Sequence, residues 1–193
     1  MTDGSVPGPT RAAQPSTRAT SELPVRRVRP QDVDRLRDAR LAALRETPEA
    51  FVSRYADEAL KPPEFWLERA AQNATGDRVA TFVIEHDGVF IGTVTGLRLA
   101  ASEPAELVGM WVAPDARRNG LGRRLVEAAC AWAAATGAER IEVSVHLPNK
   151  PAQTLYERAG FTAVRPPFPR HDGRAGLELR LARPLTGDER AGA

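Results

Sequence analysis

The chain has 193 residues, the size of one ordinary domain, and 42% of them are apolar, enough for a hydrophobic core. Its 27 basic and 25 acidic residues leave a net charge of +2 with no lysine-rich run between aromatic residues, so the composition argues against nucleic-acid binding. The single cysteine excludes an intrachain disulfide and favours the cytoplasm, and no apolar run approaches the roughly 18 residues of a membrane span.

The two ends of the chain differ in composition from the middle. Residues 1–23 are rich in Pro, Gly, Ser and Thr and carry few large apolar side chains, which predicts a disordered N-terminal tail. The same stretch lacks the apolar segment of a secretory signal. We expect one folded domain over residues 24–183 and a flexible tail over residues 184–193.

The first half of the domain predicts one strand, two helices and three further strands. "VRRVR" (residues 25–29) alternates like a strand, and apolar side chains then recur at three- and four-residue steps from Val33 to Leu44. "PPEFWLERAAQ" predicts a helix with proline in its first turn. Two β-rich runs flank Asp87-Gly88, a strong hairpin signal, and "AELVGMWV" follows as another strand.

The second half alternates helices with strands. An apolar face runs from about Gly122 to Gly137 and predicts a helix; "RIEVSVHL" predicts a strand and "NKPAQTLYERAG" a short helix. "FTAV" and "GLELRL" supply the last two strands. The pattern predicts a mixed α/β (α+β) domain with about seven strands and about four helices. Cys130 falls on the apolar helix and is expected to be a core residue rather than a nucleophile.

The stretch "PDARRNGLGRRL" (residues 114–125) joins a strand to a helix with two glycines and four arginines. The first amides of a helix have no partner within the helix, and its dipole favours anions, so this turn predicts a phosphate or diphosphate site. A solvated basic turn is the alternative. Neither a P-loop nor a dinucleotide-binding fingerprint is present.

Two motifs give the chain a family resemblance from about residue 25 to residue 181. Arg117-x-x-Gly120-x-Gly122 is similar to the R/Q-x-x-G-x-G/A motif of GNAT acetyltransferases. A second segment resembles the N-x-x-A-x-x-L-Y-x-x-x-G-F pattern of that family at Asn149, Ala152, Leu155, Tyr156, Gly160 and Phe161.

The resemblance implies the GNAT fold, in which the fourth and fifth strands splay apart to hold acetyl-CoA, with no metal. The fourth strand would contact the pantetheine arm through Met110, Trp111 and Val112, and Asn149 would hydrogen-bond near that arm. The diphosphate would be held by the amides of Arg117, Arg118, Asn119, Gly120, Leu121, Gly122 and Arg123.

The resemblance also implies catalytic roles. Tyr156 stands where the family has its general acid, and Glu106 where some branches have a catalytic glutamate. Strand alternation would place Glu106, Val108, Met110 and Val112 on one face. Other branches have a glutamate where this chain has Ser144, and His146 is the alternative base; a solvated Glu106 remains possible at this point.

We expect an N-acetyltransferase whose acceptor is a primary amine of a small molecule or protein, acting without nucleic acid or membrane; a homodimer is one candidate assembly. The acceptor side would be formed by the first two helices and residues 164–176, where His171 lies. The aromatic residues of the helical region are expected mainly in the core: Phe51, Tyr55, Phe65 and Trp66. A non-catalytic acyl-CoA-binding module is the alternative.

Overall fold

The computed structural model describes residues 23–185. The predicted tails therefore lie outside the described residues except for Leu23, Pro184 and Leu185. The last strand runs as far as Pro184, and the amide of Leu185 donates to the carbonyl of Glu139 at 2.8 Å.

Eight strands and five helices make up the described chain. The strands are β1 (Val25–Arg27), β2 (Val79–His86), β3 (Val89–Leu97), β4 (Ala105–Val112), β5 (Arg140–His146), β6 (Thr162–Ala163), β7 (Phe168–Pro169) and β8 (Leu177–Pro184). The helices are α1 (Val33–Glu46), α2 (Tyr55–Ala59), α3 (Pro63–Thr75), α4 (Leu121–Ala135) and α5 (Lys150–Arg158).

The predicted mixed α/β fold is confirmed, with two short elements more than expected. These are α2, which has five residues, and β7, which has two. Both are too short for a periodic pattern to reveal them. The β2–β3 hairpin turns at Asp87 and Gly88, whose φ angles of 50° and 76° are those of the tight turn that this dipeptide predicts.

The strands form a single mixed sheet in the order β1-β2-β3-β4-β5-β8-β6, with β7 also paired to β8. All the neighbouring pairs are antiparallel except β4 and β5, which are parallel. Because α4 carries the chain from β4 to β5, these two strands and α4 form the crossover unit that the sequence predicts.

Helices cover both faces of the sheet and bury one core on each. The α4 face holds the larger core, in which Leu125, Val126 and Ala129 meet strand residues such as Ile141. The α1 face holds a second core, formed by residues of α1 and α3 against β2, β3 and Trp111. Cys130 is buried in the first core, and burial raises the pKa of its thiol to about 11, so it packs as a core residue as predicted.

The parallel strands β4 and β5 are paired over only two positions. Ala105 is paired with Ile141 and Glu106 with Glu142, and no later residue of either strand pairs with the other among the described residues. β5 remains paired with β8 along its whole length. The two strands therefore splay apart beyond Glu106, which confirms the gap expected between the fourth and fifth strands.

Candidate active site

A β-bulge interrupts β4 beside the gap. The register of β4 against β3 shifts between Val108 and Trp111, and Gly109 has a φ of +64°, which glycine adopts without steric cost. Leu107 and Met110 both contact the core under α4, whereas Trp111 belongs to the core under α1. The extra residue therefore reverses which face each later side chain of β4 occupies.

The bulge makes one prediction wrong. Glu106, Val108, Met110 and Val112 do not share a face, because a strict period of two does not survive an inserted residue. Glu106 and Val108 face the α1 side of the sheet, while Met110 and Val112 pack toward the core under α4.

A cavity of about 790 Å³ follows the gap and is lined by residues from both faces of the sheet. From the α4 side it is lined by residues of β4 and α5, among them Met110, Asn149 and Tyr156. From the α1 side it is lined by charged residues of several elements: Arg40, Glu49, Arg69, Glu106, Glu142, Arg165, Arg170, His171, Glu178 and Arg180. A ligand lying in the gap can therefore touch groups on opposite faces.

The turn before α4 presents a run of free amides. The backbone N–H groups of residues 118–123 have no hydrogen-bond acceptor among the described residues, and no side chain caps the helix. Arg118 and Gly120 have φ angles of 65° and 75°, and amides turned in this way form concave anion sites. A non-glycine residue in the left-handed backbone region costs about 1–2 kcal/mol. The strain at Arg118 therefore indicates that this turn is kept in its shape for a function.

Arg117 differs from the six residues that follow it. Its amide donates to the carbonyl of Pro114 at 3.2 Å, and its guanidinium donates to the carbonyl of Val112 at 2.9 Å and to Glu46 at 2.5 Å. Trp111 Nε1 donates to the same carboxylate at 3.3 Å. These contacts tie the turn to the end of α1, and the predicted contact of Arg117 with a diphosphate stays a prediction.

The other predicted cofactor-contact residues divide between packing and open backbone. The side chain of Leu121 is buried in the core, so that only its backbone faces outward. Gly122 leaves room for Leu155, which would stand 3.2 Å from a β-carbon there, so this glycine serves helix packing. Asn149 caps α5, because its Oδ1 accepts a hydrogen bond from the amide of Ala152 at 3.2 Å, and Asn149 also lines the cavity.

Tyr156 lies on the α4 side of the gap. Its ring is buried against Phe161, with the ring centroids 5.4 Å apart, and the residue lines the cavity. No hydrogen-bond partner of its hydroxyl is found among residues 23–185. Burial, with a smaller contribution from the nearby Cys130, raises the pKa of the phenol far above its ordinary value, so the hydroxyl holds its proton at neutral pH.

Glu106 lies on the opposite side of the gap in a network centred on Arg180. The guanidinium of Arg180 donates to Glu106, to Glu142 at 2.8 Å and to the hydroxyl of Ser144 at 2.9 Å. Burial acts to raise the pKa of Glu142, but hydrogen bonds and charge from Arg180 and Arg140 lower it below its ordinary value. The network therefore keeps two carboxylates beside the last paired position of β4 and β5.

The two histidines considered in the sequence also line the cavity. His146 stands opposite Glu178 in the β5–β8 register, and His171 Nδ1 lies 2.7 Å from the buried carboxylate of Glu178. Of the four aromatic residues named from the helical region, Phe51 lines the cavity, while Trp66 is buried elsewhere with Phe65 at its edge.

The sequence analysis missed the arginines of α1 and α3. Arg40 and Arg69 both contact the carboxylate of Glu58 and line the cavity. One signal was present: Arg40 stands four residues from both Leu36 and Leu44, which are buried, so a charged side chain occupies the apolar stripe of α1.

Residues 23–185 include no helix that is both long enough and apolar enough to cross a membrane. Within the same range, no three side chains of His, Cys, Asp or Glu are grouped in a way that could bind a metal ion.

Comparisons with known proteins agree with this geometry. A mycothiol acetyltransferase of Beutenbergia cavernae is 35% identical over 78 residues, which span 40% of this chain and 26% of that protein. A GNAT-family acetyltransferase from Streptococcus pneumoniae has the same fold, with a TM-score of 0.69 and 22% identity over 84% of this chain and 99% of the other.

A spermidine N-acetyltransferase from Vibrio cholerae, solved with CoA and spermine, aligns with a TM-score of 0.68 and 19% identity over 86% of this chain and 96% of the other. At such identities the likeness establishes the fold alone. The sequence model of the Acetyltransferase (GNAT) family matches residues 40–161. Because that match covers more than half of the chain, the protein belongs to the GNAT acetyltransferase family.

Proposed function

We propose that this protein transfers an acetyl group from acetyl-CoA to a primary amine. The observation that carries the proposal is the run of six unpaired amides, residues 118–123, at the head of α4. It follows, after the short 3-10 helix Pro114–Ala116, the strand that separates from its parallel neighbour. A diphosphate joined to an extended amide-containing arm matches this combination of a concave anion site and an unpaired strand edge.

The described residues fit two parts of acetyl-CoA, the diphosphate and the pantetheine arm. The amides of residues 118–123 would hold its diphosphate, since backbone donors at a helix N-terminus favour negative charge. The edge of β4 beyond Glu106 would pair with the pantetheine arm, because its polar backbone groups on that side have no strand partner in residues 23–185. In this arrangement Met110, Trp111 and Val112 contribute mainly backbone, and Asn149 stands across the gap.

Two proton transfers accompany the reaction. The acceptor ammonium first loses a proton; its nitrogen then forms a bond to the acetyl carbon while the carbon–sulfur bond breaks, and the sulfur gains a proton. Tyr156 is suited to donate that last proton, since its buried phenol stays protonated and has no competing partner among the described residues.

Glu106 is suited to accept the first proton. It lines the cavity on the side opposite to Tyr156, so that base and acid flank the gap. Arg180 binds one oxygen of its carboxylate and keeps that group in place. His146 is the second candidate, and a water molecule in the cavity can relay the proton to either group.

A binding module without turnover is the second candidate function, favoured by the Ser144 hydroxyl where other branches carry a glutamate. Calorimetry with acetyl-CoA, together with thiol release measured against amines of different charge and size, separates the two functions. Turnover with any amine supports the enzyme. Tight binding with no release from the whole panel supports the module, and no binding at all refutes both.

A further inference from the structure

The α1 side of the cavity carries a cluster of two arginines and one carboxylate. Arg40 Nε lies 3.1 Å from each oxygen of Glu58, and Arg40 Nη2 lies 2.7 Å from one of them; Arg69 Nη1 lies 3.4 Å from the other. Two positive charges therefore share one negative charge, and the cluster keeps an excess of one positive charge.

Three guanidinium nitrogens of the cluster have no hydrogen-bond acceptor in the described part of the chain. Arg40 Nη1, Arg69 Nε and Arg69 Nη2 have no acceptor among residues 23–185, and both side chains line the cavity. The side chains are 15% and 29% exposed, so that water only partly screens their charge. Burial, and the like charge of Arg40, lower the pKa of Arg69. An anion entering the cavity here would supply the missing countercharge.

The sheet wall on the same side of the cavity carries carboxylates. Glu106 and Glu142 share Arg180, and the paired register of β4 and β5 puts them side by side on the α1 face. Arg140 also pairs with Glu142, so two arginines balance these two carboxylates. We have placed the proton acceptor of the reaction at Glu106, so the ammonium of the acceptor belongs at this wall. The cavity thus has a proton acceptor for an amine at one place and an arginine cluster for an anion at another.

The arginine cluster and Glu106 both border β4. Arg40 Nη1 lies 4.0 Å from the position of a β-carbon on Gly109, which is three residues after Glu106 on the same strand. One ligand that carries both an ammonium and a carboxylate can therefore meet Glu106 and the cluster along this strand.

We propose that the acceptor is an amino acid with a free carboxylate, which binds to Arg40 and Arg69 while its ammonium faces Glu106. The inference rests on the proposed acetyl transfer. Arginine suits this role because its planar guanidinium donates two parallel hydrogen bonds to one carboxylate. Arg40 is also held on the ring of Phe51, 5.0 Å from its centroid, and is therefore positioned before a ligand arrives.

The test compares L-leucine, L-methionine and L-phenylalanine with the matching α-amides and decarboxylated amines, all with saturating acetyl-CoA and the full chain. We expect kcat/KM for at least one acid to exceed that of its amide and its amine by tenfold or more. In R40Q, kcat/KM for that acid should fall at least tenfold because KM rises, whereas kcat/KM for the matching amide should change less than threefold. R69Q should act in the same direction.

R45Q is the matched control, because Arg45 lies on the same helix but contacts Tyr55 outside the cavity. Its kcat/KM values should equal those of the wild type. Amides or amines accepted as well as the acids would overturn the inference while leaving acetyl transfer intact, as would an R40Q loss that is equal for acid and amide. Thiol release with no compound of the panel, amides and decarboxylated amines included, would count against both proposals.

Should R40Q fail to fold, R40K keeps the charge that Glu58 needs but loses the planar fork. The preference for the acid over its amide should then shrink by about threefold or more. An undiminished preference in folded R40K and R69Q together would overturn the assignment of the carboxylate to this cluster.

Discussion

Replacing Gly120 by aspartate should weaken acetyl-CoA binding strongly while the fold persists. Gly120 has a φ of +75°, and a β-carbon there would meet nothing within 4 Å, so a side chain fits in space. The matched variant G120N has nearly the same shape and tolerates the left-handed conformation equally well, but it carries no charge. Any difference between G120D and G120N is therefore electrostatic.

The expected size of the difference follows from the position of Gly120 among the unpaired amides of residues 118–123. A carboxylate about 5 Å from one phosphate charge, at an effective dielectric constant near 20, repels it by about 3 kcal/mol. That corresponds to roughly 100-fold in Kd. The backbone strain, about 1–2 kcal/mol, is common to both variants and should lower both Tm values by roughly 3–6 °C.

The assay is calorimetric titration of both variants with acetyl-CoA at 50 mM and 300 mM salt. G120N should bind within about tenfold of the wild type, and G120D should bind about 100-fold more weakly than G120N. Higher salt should narrow that gap, because it screens exposed charges. Equal Kd values for the two variants, or a difference in Kd that does not change with salt, would refute the placement of the diphosphate on these amides.

Three further results are expected. Y156F should lower kcat by about 100-fold with an unchanged Kd for acetyl-CoA, because it removes only the proton donor; stopped-flow thiol release measures this, and full activity would exclude Tyr156 from the proton transfer. G96A should destabilise the fold by about 2 kcal/mol, since its β-carbon would stand 2.5 Å from the ring of Trp132; urea unfolding measures this, and an unchanged midpoint would contradict the packing of β3 against α4. Burial acts to raise the pKa of Glu58, but Arg40 lowers it below the ordinary 4.5. The ionised carboxylate therefore stabilises the fold above about pH 4.5, and this contribution is lost as the pH falls through the pKa of the folded state. E58Q should therefore be less stable than the wild type at pH 7 and closer to it at pH 3.5 by urea unfolding, and a gap that does not shrink would show that charge is not the cause.

Local signals in the sequence predicted most of the elements correctly. The Asp87-Gly88 dipeptide predicted the hairpin because its turn needs two positive φ angles. The apolar face after Gly122 predicted α4. The splay of β4 from β5 came from the family resemblance and not from any local pattern. A parallel pair is joined through a long crossover, so the number of residues that pair is decided by packing and not by neighbours in sequence.

The errors came from places where a local rule meets a tertiary constraint. Strand alternation assigned Met110 to the wrong face because it assumed a period of two; a glycine inside the strand, Gly109, was the available signal for a bulge. Other contacts were missed rather than wrongly predicted: Arg117 matched a motif position, but its ion pair with Glu46, which is 71 residues away in sequence, has no local signal. The cluster of Arg40, Arg69 and Glu58 depends on how three helices meet, which no window of sequence contains.

The bulge, the splay and the free amides are physically connected. Once β4 separates from β5 after Glu106, its backbone groups on that side lose their strand partners, and the bulge at Gly109 changes where the next side chains point. The chain then enters the strained turn at Arg118, whose amides also lack acceptors in the described residues. An unmet backbone hydrogen bond costs about 1–3 kcal/mol when buried, so a fold keeps these two sets of unpaired groups only where water or a ligand reaches them. One ligand that contains both an extended amide arm and a diphosphate can satisfy both sets. For this reason the site is better explained by a single long ligand than by two unrelated small ones.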